Sequence, residues 1–404
     1  MTTLRQNIGD RRFAGGRYTA AIGPVDVVGG APGVRDRLLA IAGQGRHTRI
    51  GLIPHPTAAR WDHDVTRAVA VREPDWGRVD DIGTMMELAN DTATAPIDIA
   101  LVDDHLFATV DHGIGDGVFV TELLPALTRV TAGPFPRHVV AGDTVTRHPS
   151  VRALASAIRR HPGSTARSMR SVVHGTAGAA GPQTSLAPDA RRQTVVIGSE
   201  PGFADRLRRL RDDRFPGATA AATLSWTIDR HLRGAGLPLA PTLSMMVNLR
   251  RHLPAGTACT GNFVGAVTAP TTSPQEMTQA VQARLRSTDL VVHQALSDAL
   301  GAVRPERMRE PHHKRAVHDR TVRLVVSDLS GSPAIPTTRW NPDSVHPRTF
   351  GIATLCNRSD EIDLVYTRVD DRLFVTARFF DGYHDATTIG SAIREALLEP
   401  ADAL

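Results

Sequence analysis

Apolar positions along the first part of the chain alternate between two spacings, one typical of helices and one typical of strands. Residues 31–42 carry apolar side chains at helical spacing and are stopped by Gly43, and residues 82–90 repeat that spacing. Residues 48–54 and 65–71 have the short apolar runs of strands. Residues 12–29, interrupted by glycine and proline, are expected to be extended. Alternating strands and helices of this kind predict an α/β lobe.

The same patterns predict a strand, a glycine-rich turn and a helix around His112. The runs 96–102 and 106–110 are typical of strands, residues 111–117 contain three glycines, and residues 118–127 have helical spacing. A histidine at a strand end is a candidate general base, because its ordinary pKa is about 6.5. The pattern His-xxx-Asp-Gly alone is weak in a chain with 17 histidines. Its position between a strand and a helix favours the functional interpretation.

The second half of the chain has the same α/β texture after a stretch of small residues. The patterns predict strands at 193–198 and 243–250, and helices at 203–210, 218–232 and 273–285, the last with Ser273 as N-cap. Residues 161–192 are rich in small side chains and poor in large apolar ones, which is typical of linkers. The predicted organisation is therefore an N-terminal lobe (1–165), a flexible linker (166–190) and a C-terminal lobe (191–404).

Length and composition describe an ordinary globular protein. The chain has 404 residues, of which 41% are hydrophobic and 22% charged, and no apolar run of about 18 residues that would span a membrane. The N-terminus lacks the apolar stretch of a signal peptide. Cys259 and Cys356 are too few for a disulfide framework or a zinc site, so we expect buried free thiols. Together these features predict a cytoplasmic protein without a membrane span.

The net charge of +5 does not by itself indicate a nucleic-acid partner. Lys314 is the single lysine among 47 basic residues, and only three tyrosines are present, without the interleaving of arginine and aromatic residues that supports base stacking. Nucleic-acid binding is therefore not predicted. A mildly basic surface is suited to an acidic carrier protein or to the phosphates of coenzyme A.

Residues 112–117 resemble the His-xxx-Asp-Gly motif of the thioester-dependent acyltransferase superfamily. This superfamily includes chloramphenicol acetyltransferase, nonribosomal peptide condensation domains, polyketide-associated acyltransferases and wax ester synthases. Asp111 stands where most condensation domains have the first histidine of a doublet. Three later segments are similar to the family in residues and order: 246–251 with Gly261-Asn262, 324–331 with Asp328 in place of asparagine, and 373–385 with the helix after it. The closing motif of the plant-type branch is missing.

This resemblance implies a fold and an activity. The fold would be two chloramphenicol acetyltransferase-like α/β sandwiches that form a V-shaped pseudo-dimer with a tunnel between them. An acyl group would pass from an acyl-CoA or an acyl/peptidyl carrier protein to a small alcohol or amine. No cofactor would be bound permanently, since coenzyme A or phosphopantetheine enters with the donor, and a monomer is expected.

The resemblance also assigns roles to individual residues. His112 would be the general base, Gly117 would allow the turn, and Asp116 would form a structural ion pair with Arg250, or failing that with Arg251. Further tunnel or substrate-binding positions would be Asp111, Asn262 and Ser327. If the analogy fails, Asn262 and Ser327 are ordinary residues at strand ends.

Three other interpretations are weighed beside this one. A catalytically silent relative would keep the fold and bind a carrier protein or partner enzyme, an alternative to which the lost first histidine at Asp111 lends slight support. The histidine-rich run 312–318 lacks carboxylate or thiolate companions at ligand spacing, so no metal site is predicted. His384 lies between a predicted strand and helix and is interpreted as a turn residue rather than a catalytic one.

Overall fold

The structure is a computed structural model that describes residues 2–79, 81–131, 133–174, 183–186, 190–303, 315–317 and 321–400. The described part is a mixed α/β protein built on two large sheets. Its helices, in chain order, are α1 Ile8–Phe13, α2 Gly30–Gly43, α3 Val65–Ala68, α4 Ile82–Thr92, α5 Gly117–Thr128, α6 Pro149–Arg160, α7 Pro162–His174, α8 Phe203–Arg214, α9 Ala220–Gly234, α10 Pro274–Arg286, α11 Asp289–Val303 and α12 Ala386–Leu398.

The strands follow the same chain-order numbering. They are β1 Thr2–Arg5, β2 Arg17–Gly23, β3 Leu52–Ile53, β4 Arg60–His63, β5 Val69–Arg72, β6 Ile97–Val102, β7 His105–Asp111, β8 Thr144–Val145, β9 Gln183–Ser185, β10 Arg192–Gly198, β11 Thr242–Asn248, β12 Thr257–Ala258, β13 Val264–Pro270, β14 Arg315–Val317, β15 Arg323–Asp328, β16 Thr349–Ala353, β17 Glu361–Val369 and β18 Arg372–Phe380. Short 3-10 turns precede β3, at Arg46–Thr48, and follow β11, at Leu249–His252.

The first large sheet has five strands in the order β16-β2-β7-β6-β5. Only β5 and β6 run parallel, and the other neighbours are antiparallel. Every residue of β6 and β7 is buried, as expected for central strands covered on both faces. Strand β16 comes from the second half of the chain and pairs with β2 from Thr349 to Ala353. The sheet that carries the His112 turn is thus completed from the far end of the sequence.

The second large sheet has six strands in the order β10-β18-β17-β15-β11-β13. Its central pairs β17–β15 and β15–β11 are parallel, and the outer pairs are antiparallel. The two-stranded pair β8–β12 also joins the halves of the chain. Two main apolar cores are present in the described part, one containing Trp61 and Phe119 and the other Phe203 and Phe379; Phe374 of the second sheet packs in the first core. Among the described residues, no helix has both the length and the apolar character needed to cross a membrane.

Helix starts follow the capping residues that the sequence offers. Ser273 accepts a hydrogen bond from the Glu276 N–H and Pro274 occupies the first helical position, as predicted for α10. Asp81 caps α4 through the N–H groups of Gly83 and Thr84. Most predicted strands and helices are present within a few residues.

Four segments differ from the pattern-based prediction. The strand expected at 48–54 is reduced to Leu52–Ile53, because Arg49 adopts a left-handed φ of 63° that interrupts extended backbone. The strand expected at 65–71 begins as the short helix α3, which is capped by Asp64. The extended segment predicted for 12–29 starts inside α1. Helix α7 covers a stretch whose small residues predict a linker; of the remaining linker positions the structure describes 183–186 and 190.

Candidate active site

The turn at His112 is held in place by Asp111 and by the backbone. The Asp111 carboxylate accepts hydrogen bonds from the N–H groups of Gly113 at 2.8 Å and Gly15 at 2.9 Å. The His112 N–H donates to the Gly16 carbonyl at 2.7 Å. Burial raises the pKa of Asp111 to about 7, against the lowering effect of those two N–H groups and of Arg17. Asp111 therefore stabilises the turn by accepting hydrogen bonds from two backbone N–H groups.

The His112 ring is half-buried and packs against two aromatic side chains. Phe13 stacks on it with ring centroids 4.5 Å apart, and Tyr18 meets it edge-on at 5.0 Å. Burial lowers the pKa of His112, and this outweighs the raising effects of its own backbone carbonyl, Asp116 and Asn262. The imidazole is consequently neutral at neutral pH, which is the form that can accept a proton.

Asp116 links the turn to the second half of the molecule. Its carboxylate caps α5 through the Val118 N–H and lies 2.8 Å from Arg250 Nη1, an ion pair with 4% and 12% of the two side chains exposed. Burial alone would raise the pKa of Asp116, but the Arg250 guanidinium outweighs it, so the pKa is lowered. Arg250 also donates to the carbonyls of Cys259 at 2.9 Å and Gly261 at 2.7 Å. One guanidinium thus ties the motif to the loop that precedes Asn262.

A second buried network supports the turn from the opposite side. Arg49 donates to the backbone carbonyls of Gly113 and Ile114 and forms an ion pair with Asp10 at 2.9 Å. Asp10 in turn accepts from the backbone and side-chain amides of Asn262 at 2.8 and 3.1 Å, and the same Asn262 side chain donates to the His112 carbonyl at 2.7 Å. Arg49 and Asn262, held together by Asp10, therefore fix the three consecutive carbonyls of residues 112–114.

Sequence reasoning missed Asp10 and Arg49. Neither residue falls in a recognisable motif of the analysis above, and no spacing rule relates residues 10, 49 and 262. A buried acid that must find a base is visible only once the fold brings α1 beside the loop at Asn262. The available signal was weak: an arginine inside a predicted apolar strand at 48–54.

Two cavities meet at the turn. One, of about 250 Å³, is lined by His112 with Phe13 and Tyr18, and the other, of about 460 Å³, by Glu122 and His138. They share six lining residues: Asp116, Gly117, Met246, Val264, Ser327 and Leu329. An added Cβ on Gly117 would lie 2.6 Å from Leu329 Cδ1, so a side chain there would crowd this shared wall.

The structure brings together most of the residues singled out from the sequence. His112, Asp116, Gly117 and Ser327 line the smaller cavity, while Arg250 and Asn262 hold the turn. Arg251, the second-choice partner of Asp116, is exposed and lines a different pocket. His384 bonds through Nε2 to the Ser359 carbonyl and lines neither cavity at the turn.

In the described ranges, no group of three or more histidine, cysteine, aspartate or glutamate side chains is arranged to hold an ion. The histidine-rich run 312–318 lies largely outside the described residues.

Replacing Asn262 with alanine is expected to lower both stability and activity. The change removes the donors to Asp10 and to the His112 carbonyl and leaves buried acceptors unsatisfied, which costs about 1–3 kcal/mol of unfolding free energy. Urea unfolding and initial rates measure the two effects. Asn341→Ala is the matched control, since its side-chain amide donates to Asp104 at 3.2 Å and lines neither cavity at the turn. If the two variants retain equal activity, Asn262 does not position His112.

Comparison with solved structures identifies the fold. Trichothecene 15-O-acetyltransferase from Fusarium sporotrichioides superposes with a TM-score of 0.62 at 11% identity, over 98% of this chain and 94% of that chain. A F. graminearum protein complexed with coenzyme A and deoxynivalenol has a TM-score of 0.61 at 10% identity, covering 95% and 96%. The EpoB nonribosomal peptide synthetase cyclization-docking bidomain from Sorangium cellulosum has 0.57 at 14% identity, covering 99% and 85%.

These likenesses confirm the predicted α/β fold, which the chain shares with an acetyltransferase and with a nonribosomal peptide synthetase bidomain. No protein-family model and no curated protein matches the sequence. The V-shaped arrangement, the tunnel and the boundaries of the lobes stay predictions.

Proposed function

We propose that this protein is an acyltransferase that moves an acyl group from a thioester to a hydroxyl or amine, with His112 as general base. The observation that carries the proposal is a half-buried imidazole with a lowered pKa, which lines a cavity and whose backbone N–H and carbonyl are both hydrogen-bonded. The fold shared with an acetyltransferase and with a protein complexed with coenzyme A supports the same reaction class. The donor would be an acyl-CoA or an acyl carrier protein.

In this proposal His112 accepts the proton of the acceptor hydroxyl or amine as its oxygen or nitrogen attacks the thioester carbonyl. Collapse of the tetrahedral intermediate breaks the carbon–sulfur bond, and His112 returns the proton to the departing thiolate. The thiolate is a good leaving group, so positioning and proton transfer are the main tasks of the protein. The two cavities that share a wall at Asp116 and Ser327 suit a donor and an acceptor that approach separately.

Asp116 has a structural part in this scheme. Its carboxylate is occupied by Arg250 and by the N-terminus of α5, and so orients the turn rather than accepting a proton from substrate. The alternative, a silent domain that binds a carrier protein, draws on Asp111 in place of a first histidine. The cavity that His112 lines offers space for a substrate beside the imidazole, which favours the catalytic interpretation.

A thiol-release assay with a panel of acyl-CoA and acyl-carrier-protein thioesters and mixed alcohol and amine acceptors tests the proposal. Release that depends on the acceptor, with ester or amide product found by mass spectrometry, is the expected result and identifies the donor. Absence of release with folded protein across the panel, together with tight binding of a carrier protein, would establish the silent domain instead.

The pH dependence of kcat/KM is expected to show an acid limb whose midpoint lies below 6.5. Burial lowers the pKa of His112, so the active neutral form persists below the ordinary histidine range and is lost only as the pH falls through the lowered pKa. Asp111→Asn is the control, because the pKa of Asp111 is about 7 and its ionisation would give a limb there. A limb at 7 or above that Asp111→Asn retains would contradict the assignment to His112.

A further inference from the structure

A pocket of about 420 Å³ opens beside the loop that carries Arg250 and shares no lining residue with either cavity at His112. Its walls are the ends of α6 and α10, the 3-10 turn Leu249–His252 and the residues before α11. None of its twelve lining residues carries a carboxylate, whereas three arginines and two histidines face it: Arg160, Arg251, Arg286, His161 and His252.

The positive charge in this pocket is not neutralised within the described part of the chain. Arg160, Arg251 and Arg286 have no ion pair with a described carboxylate, although Arg250 next door is fully engaged with Asp116. Burial lowers the pKa of His252, and the positive charges of Arg251 and Arg160 lower it further.

Two buried polar atoms in the lining also lack partners. Ser156 is 1% exposed, and its hydroxyl makes no hydrogen bond to any described residue. The Nε2 atom of His252 is buried and unpartnered in the same sense. A buried hydroxyl without a partner costs free energy, and a ligand that supplies an acceptor removes that cost.

Helix stabilisation explains only part of this arrangement. Arg160 and Arg286 occupy the last turns of α6 and α10, where cations favourably face the helix dipole. That explanation does not extend to Arg251 and His252, which belong to a 3-10 turn, or to the Ser156 hydroxyl. A ligand with several negative oxygen atoms accounts for all of them.

We propose that this pocket binds a phosphate group of the acyl donor. The inference rests on the proposed function, because it is the thioester donor that brings phosphate. A phosphate offers oxygen acceptors and negative charge that suit paired N–H donors of arginine as well as serine and histidine donors. Coenzyme A and the phosphopantetheine arm of a carrier protein share this chemistry. Since Arg251 directly follows Arg250, the phosphate would be held by the loop that also holds Asp116, so that binding energy from a non-reacting part of the donor serves positioning.

Calorimetric titration with four probes tests the site: coenzyme A, 3′-dephospho-coenzyme A, 4′-phosphopantetheine and inorganic phosphate. We expect Arg160→Gln and Ser156→Ala each to weaken coenzyme A binding by about tenfold, the loss of one charge-assisted hydrogen bond. The matched control is Arg159→Gln, which lies in the same last turn of α6 and outside the pocket, and should stay within about twofold. Weaker binding of 3′-dephospho-coenzyme A would assign the pocket to the 3′-phosphate. If 4′-phosphopantetheine binds as tightly as coenzyme A, the pocket holds the phosphate nearest the thiol, which a carrier protein shares.

Two results would overturn the inference. One is that every variant binds coenzyme A with the affinity of the unmodified protein, and does the same with 4′-phosphopantetheine. The other is inorganic phosphate that binds in the pocket without competing with either donor fragment.

An acyl-pantetheine donor, which has no phosphate, separates this inference from the proposed function. Arg160→Gln should turn it over at the rate of the unmodified protein, whereas His112→Ala should not. If the protein turns the donor over but Arg160→Gln binds coenzyme A as tightly as the unmodified protein, the phosphate site is rejected and the proposed acyltransferase activity stands. If Arg160→Gln weakens coenzyme A binding but no donor is turned over, the phosphate site stands and the proposed acyltransferase activity is rejected.

Discussion

Acyl transfer by the His112→Ala variant is expected to fall by about 100-fold or more, the usual contribution of a positioned general base. The imidazole lines the smaller cavity, and its lowered pKa leaves it in the neutral form that accepts a proton. Rates with a saturating donor and the best acceptor from the thiol-release panel measure the effect. Circular dichroism and the unfolding midpoint establish that the variant is folded.

His384→Ala is the control for this prediction. His384 is a partly buried histidine whose Nε2 bonds to the Ser359 carbonyl, away from both cavities, so its loss should leave the rate within about twofold. His112→Gln, which retains a polar side chain in the aromatic site, should be as inactive as the alanine variant. Turnover of His112→Ala and His112→Gln at the rate of the His384 control would remove His112 from the mechanism.

Removing the Arg250 guanidinium is expected to have the largest effect on stability. Arg250→Ala leaves the Asp116 carboxylate buried without its counter-charge and two backbone carbonyls without their donor, which costs about 3–5 kcal/mol of unfolding free energy. Because the pKa of Asp116 is lowered by Arg250, the stability it contributes is present above the unfolded value near 3.9 and is lost as the pH falls through the folded one. Urea unfolding at pH 7 and pH 3 measures both effects.

A double-mutant cycle tests whether the loss comes from the pair. Asp116→Ala and Arg250→Ala should each destabilise strongly, and the double variant should cost clearly less than their sum, because no lone buried charge remains. Arg251→Ala, the exposed neighbour, should change the unfolding free energy by no more than about 0.5 kcal/mol. Additive losses from Asp116 and Arg250 would show that the two side chains act independently.

Local patterns predicted what depends on neighbouring residues. The strand at 106–110, the glycine-rich turn and α5 follow from apolar spacing and glycine placement, and so does the position of His112 at a strand end. Arg250 as partner of Asp116 required more: the resemblance to a known family supplied it, since 134 residues separate the two side chains.

What the sequence could not predict depends on contacts between distant segments. The Asp10–Arg49 pair and the pairing of β16 with β2 each join parts of the chain that no period or motif relates. Arg49 shows the physical reason. Its left-handed backbone interrupts an apolar run that local propensity assigns to a strand, because its guanidinium is needed at the carbonyls of Gly113 and Ile114.

The pairing of β16 with β2 has a consequence for synthesis of the protein on the ribosome. Strands β2 and β7 emerge early, but the outer edge of β2 stays without its neighbour until residues 349–353 have left the exit tunnel. At ~5–20 residues per second this interval is on the order of tens of seconds. During that time the free edge of β2 exposes unpaired backbone N–H and C=O groups. Nascent chains with such edges associate with one another or bind chaperones. The first large sheet is therefore completed only after residues 349–353 have been translated.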